Sequence, residues 1–169
     1  MVKINLGLGL LVLVLVIGVT VVGCDDDSTN NSANDPSLNG TWVGEGGILE
    51  LKFNNGYFEQ TVNGILRTKA TYTTSGNNLN LQVTEMMFYG SINDNEYATP
   101  LYNKNQKNEY LAFMENMYRE TGLVSEEGIA QLLADSPERF EAMFLPQTVP
   151  YSISGTTLTT IGTELTKKN

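Results

Sequence analysis

The sequence predicts a mainly β protein, an antiparallel up-and-down meander closing into a barrel, with a helical insertion before the C-terminal hairpin. Three observations predict it. Apolar and polar residues alternate with period two from Leu49 to about Thr84, interrupted by tight-turn signals. Between about Lys104 and Pro146 the spacing changes to that of helices. Finally, Tyr72-Thr-Thr-Ser-Gly-Asn-Asn-Leu-Asn80 matches Tyr151-Ser-Ile-Ser-Gly-Thr-Thr-Leu-Thr159, one strand–turn–strand unit used on both sides of the insertion.

Taken in order, the folded domain is expected to start at Asn39-Gly40-Thr41-Trp42 and run to residue 169. Leu49-Glu50-Leu51-Lys52-Phe53 alternates strictly, as a strand with one dry face does. Asn54-Asn55-Gly56 turns the chain into a second strand, Tyr57 to Val62. Asn63-Gly64 is the strongest short hairpin signal, because its turn type needs positive φ at both central positions. A third strand is expected from Ile65 to Thr74, and a fourth from Leu79, where Leu79, Leu81 and Val83 alternate with Asn80, Gln82 and Thr84. Asp94-Asn95-Glu96 reads as a turn, being too sparse in carboxylates for a calcium loop. After the insertion, the repeated hairpin leads into a last short strand over Ile161 to Lys167.

Three helices are expected within the insertion, residues 104–146. Gln106 to Glu120 sets Tyr110, Phe113, Met114, Met117 and Tyr118 at three- and four-residue spacings, giving an aromatic and thioether face. The second follows Ser125, with Glu126 and Glu127 at its positive end. The third starts at Ser136-Pro137-Glu138, read as an N-cap followed by proline at the first helical position, and stops at Pro146. Its functional reading is a lid in which Phe113, Met117 and Phe144 close over a ligand in the barrel. Met87 and Tyr89, in the apolar patch Met86-Met-Phe-Tyr-Gly90, are candidates for the mouth of the same site. The competing reading is a helical pack that seals the barrel end, since an apolar helix stripe is usually core.

The N-terminus carries an address. The α-amino group and Lys3 precede an apolar run from Leu6 to Gly23 that ends at the only cysteine, Cys24, the order of an export signal. Val21-Val22-Gly23-Cys24 resembles a bacterial lipobox. The resemblance implies a signal peptide over residues 1–23, lipid attachment at Cys24, and a mature protein held to a membrane of the cell envelope by acyl chains, with no spanning segment. Residues 24–38, acidic and polar, are expected to form a disordered tether. Loss of Lys3 leaves nine basic against nineteen acidic residues, a net charge of −10.

Gly40-Thr41-Trp42 at the head of a meander of roughly eight strands resembles the lipocalins and small bacterial lipocalin-like lipoproteins. In that family the tryptophan closes the base of the barrel and an arginine late in the chain partners it. Here no arginine follows Arg139, so Lys167 or Lys168 is left for that role. The resemblance implies an interior that holds one small hydrophobic ligand, or one that is filled by its own side chains.

Composition narrows the chemistry further. There is no histidine, so imidazole bases and most zinc sites are excluded, and the lipid reading uses the one thiol. Neither an enzyme, a metal site nor a cofactor is expected. An acidic domain does not suit nucleic acid, which needs a lysine and arginine footprint. Two readings follow: a binding protein for a small hydrophobic ligand, and an envelope structural or interaction protein whose outer surface does the work.

Overall fold

A computed structural model describes residues 34–92, 95–122 and 124–168. The signal segment and the lipid-attachment candidate Cys24 lie outside the described residues. Among the described residues, nine strands form one antiparallel sheet: β1 (Gly40–Gly44), β2 (Leu49–Asn54), β3 (Tyr57–Val62), β4 (Ile65–Ser75), β5 (Asn78–Ile92), β6 (Asn95–Tyr102), β7 (Gln147–Ser154), β8 (Thr157–Thr160) and β9 (Thr163–Lys167). The order β4-β3-β2-β1-β9-β8-β7-β5-β6, with β4 also paired to β5, closes eight of these strands into a barrel and leaves β6 as a hairpin partner beyond the ring. The mainly β, up-and-down meander expected from the alternation is therefore present, and it closes into the expected barrel.

Strand β5 explains how a helical insertion fits into a closed barrel. Along one edge it pairs with β4 from Asn78 to Met86. Along the other, Asn78–Leu81 pairs with β7, while β6 takes over from Met86 onward. The chain leaves the sheet at Tyr102 and returns at Gln147, bracketing the stretch between those two pairings. There it builds α1 (Lys107–Thr121), α2 (Glu126–Ala134) and α3 (Ser136–Ala142). Helix α1 ends at Gly122, whose φ of 61° supplies the left-handed cap. Helix α2 is capped by Ser125, which accepts from the Gly128 amide at 3.2 Å. Helix α3 begins one residue earlier in its cap than the sequence suggested. Asp135 holds the N-cap position, and the Ser136 hydroxyl instead donates back to the Leu132 carbonyl at 2.9 Å, tying α3 to α2.

Order also starts earlier than Asn39. Pro36–Leu38 forms a single 3-10 turn, and Leu38 is fully buried against Trp42, whose indole Nε1 donates to the Leu38 carbonyl at 2.7 Å. Lys167 lies with Nζ 5.0 Å from the centroid of that indole and donates to the Ser37 carbonyl at 3.2 Å. Asp35 accepts from Ser37 and from the Tyr151 hydroxyl, and its amide donates to Thr74 Oγ1. One end of the barrel is thus plugged by residues that the composition assigned to the tether. Above the plug, Leu51, Phe53, Phe58, Tyr72, Leu79, Val149, Leu158 and Leu165 form the inner face.

The hairpin turns obey the expected backbone rule, with Asn63 at φ 51° and Gly64 at 75°. The β8–β9 turn uses the same pair of positive angles, but its first residue is Ile161, at φ 45° and 40 % exposed. A β-branched side chain in that region is strained by about 1–3 kcal/mol. Ile161→Asn should therefore raise stability by about 1 kcal/mol, since little apolar burial is lost and the residue pair becomes Asn-Gly. A denaturant midpoint that stays the same or falls would refute this account of the turn.

Candidate functional site

The barrel encloses a cavity of about 500 Å³, within the roughly 300–1,000 Å³ typical of small-molecule sites. Its walls come from β2–β5, β7 and β8, from Tyr97 of β6 and from one side of α1. Leu38 bounds it at the plugged end, and at the other end it reaches Asn63 and Ile65, both exposed on the β3–β4 turn. The mouth and the plug therefore lie at opposite ends.

Four of the five ligand-contact candidates line this cavity: Phe113 and Met117 from α1, and Met87 and Tyr89 from β5. Phe144 does not. It is buried in a second cluster with Val83, Met86, Tyr102, Tyr110 and Phe140, its ring centroid 5.1 Å from that of Phe140. The residue follows the last turn of α3, where its carbonyl accepts from Gln82 Nε2 at 2.6 Å, and this seats the ring between helix and sheet. The lid and sealing readings of the insertion are thus divided between its residues. Phe113 and Met117 of α1 face the cavity, while Phe140 and Phe144 are core.

Sequence reasoning missed the polar residues of the wall. Gln60 and Thr68 are buried and bonded to each other, Thr68 Oγ1 donating to Gln60 Oε1 at 3.3 Å. Gln147 also lines the cavity and buries its Nε2 with no partner among the described residues. The most consequential is Arg67. Inward alternation through Thr68, Ala70, Tyr72 and Thr74 would point it to solvent, yet it is only 6 % exposed and lines the cavity. The cause is a β-bulge: Gln60 pairs with Thr68 and Thr61 with Leu66, leaving Arg67 as the extra residue. A bulge depends on pairing across two strands, so alternation along one strand gives no sign of it.

Electrostatics at the site is set by burial of phenols. Desolvation pushes the Tyr110 hydroxyl up to about 12, with the neighbouring Tyr118 adding to the effect and Arg139 opposing it. Tyr151 is likewise pushed up to about 12, first by burial and then by its hydrogen bond to Asp35. The Ser37 hydroxyl, set against the opposing effect of burial and helped by Tyr151, holds the Asp35 carboxyl below its usual range. Both observations describe a neutral phenol donating to a charged carboxylate. Among the described residues, no three His, Cys, Asp or Glu come together in a way that could hold a metal ion. The arrangement suits reversible binding of an apolar body with a few polar contacts.

No protein-family model, no curated protein and no solved structure matches the chain.

These phenols give the fold an alkaline limit. An unfolded tyrosine releases its proton near pH 10, whereas Tyr110 and Tyr151 retain theirs to about 12. Folding is therefore fully supported below about pH 10 and loses support as the pH climbs through 12, where the unfolded chain binds fewer protons. Urea midpoints should be flat from about pH 8 to 9.5 and drop steeply above 10, with Tyr151→Phe showing a shallower drop. An identical slope in the variant would remove Tyr151 from the explanation.

Proposed function

We propose that the protein is a lipid-anchored cell-envelope lipoprotein whose lipocalin-like barrel binds a small hydrophobic molecule. The observation that carries the binding part is the cavity of about 500 Å³, walled mainly by apolar side chains and closed at one end. The lipocalin-like reading draws support from Lys167 over the Trp42 indole at the plugged end, the basic partner that the resemblance asks of a late residue. The anchor reading rests on the lipobox-like Val21-Val22-Gly23-Cys24.

Binding is tested on the chain from Asp25 onward, which contains every described residue, with the neutral fluorophore N-phenyl-1-naphthylamine. Saturable binding of one molecule per chain is expected, and Phe113→Ala and Met117→Ala should weaken it. A strictly linear, non-saturating signal would overturn the binding reading in favour of a protein that works through its outer surface.

Anchoring is tested separately in a bacterial host fed radioactive palmitate. The full-length chain should take up label and Cys24→Ser should not. Equal label in both would refute attachment at Cys24.

A further inference from the structure

We propose that the cavity selects amphipathic ligands carrying an anionic head group, and that Arg67 receives that group. The inference rests on the binding function proposed above and names the chemical class of its ligand. A guanidinium stays charged at any accessible pH, and a buried charge is strongly disfavoured unless it is paired. Arg67 is buried to 94 % of its surface and, among the described residues, has no carboxylate partner. Its contacts are soft ones: Nη1 donates to Met87 Sδ at 3.3 Å, and the guanidinium carbon lies 4.3 Å from the centroid of the Tyr89 ring. A thioether is a weak acceptor and a ring face leaves the in-plane N–H groups free.

Two further features point the same way. No aspartate or glutamate is among the described residues lining the cavity, so none of these side chains competes for the cation or repels an anion. The bulge that turns Arg67 inward also spends regular pairing at that point, and without it the side chain would point to solvent. A planar fork of N–H donors matches the oxygens of a carboxylate or a phosphate. The remaining volume, lined by Leu51, Phe58, Leu79 and Met117, receives the apolar body.

The test is displacement of bound N-phenyl-1-naphthylamine from the Asp25-onward chain by dodecanoate, dodecyl phosphate and dodecanol. Wild type should prefer at least one anion over the alcohol by about tenfold or more, and which anion wins identifies the head group. Arg67→Met should reduce that preference to about twofold or less, read as the ratio of anion to alcohol displacement within the same variant so that any change in fluorophore affinity cancels. Its ligand-free thermal midpoint should hold or rise, because an unpaired buried charge is gone. Arg67→Lys, which keeps the charge, should retain part of the preference. Equal displacement by anions and alcohol in wild type would overturn the proposal with no variant needed, as would an Arg67→Met protein that weakens all ligands alike and unfolds earlier. Failure of the fluorophore itself to bind is a different result and would count against the binding function as a whole.

Discussion

The constraint on which the rest of the structure depends is the divided edge of β5. One side is zipped to β4, but the other is shared between β7 and β6, and neither pairs with residues 82–85. An uncovered sheet edge is exposed to solvent and to pairing with other chains. Here the chain between those two strands folds into three helices across the gap. Gln82 reaches from that edge to the Phe144 carbonyl and pins the end of the insertion to it. Phe140 and Tyr110 stack at 4.9 Å behind it, with Phe88 4.3 Å from Tyr110, so the covering layer is aromatic. The cavity extends from the barrel to α1, whose Tyr110, Phe113, Met114 and Met117 line it.

The two ends of the barrel differ in the same physical terms. At the plugged end, polar groups are paired with one another: indole to carbonyl, phenol to carboxylate, ammonium to carbonyl. Toward the cavity, Gln60 and Thr68 are paired, but the Arg67 guanidinium has only a weak acceptor and the Gln147 amide nitrogen no partner among the described residues. Fully satisfied buried polar groups fix a structure, while unsatisfied ones destabilise the empty state and reward whatever completes them. On the proposed binding function, stability and recognition would therefore be placed at opposite ends of one core.

Much of this was legible in the sequence because it is encoded locally. The alternation at Leu49–Phe53, the Asn63-Gly64 turn and the Ser-Gly hairpins each need only a few consecutive residues, and all are present. The helices were legible for the same reason, their expected limits lying within a few residues of those observed. What was not legible depends on pairing at a distance. Strand β6 carries Pro100 and no clean alternation, and it exists because β5 runs on past the barrel to meet it. Leu38 looked like the end of a polar tether, yet Trp42 claims it, and Lys167 claims the neighbouring Ser37 carbonyl, from outside that stretch. Arg67 is set by a register shift against β3, and Phe144 by the packing of α3 on β5, neither of which a linear pattern contains.

Connectivity also decides which way the cavity points relative to the proposed anchor. In an up-and-down barrel successive turns alternate ends, so the β2–β3, β4–β5 and β7–β8 turns lie with the start of β1 and the end of β9 at the plug. The β3–β4 and β8–β9 turns lie at the other end, with Asn63 and Ile65 at the mouth. The chain leading back toward Cys24 passes through Asp35, which is bonded to Thr74 and Tyr151 at the plug. A lipid at Cys24, in the proposed anchoring, would therefore attach nearer the plugged end, since the ten residues between Cys24 and Asp35 can span at most about 35 Å. With the proposed anchor, the mouth would open away from the attachment surface, and a ligand of the proposed class would enter from the aqueous side. That orientation favours an amphipathic molecule with measurable solubility, since one confined to the bilayer would have to travel round the barrel to reach the opening.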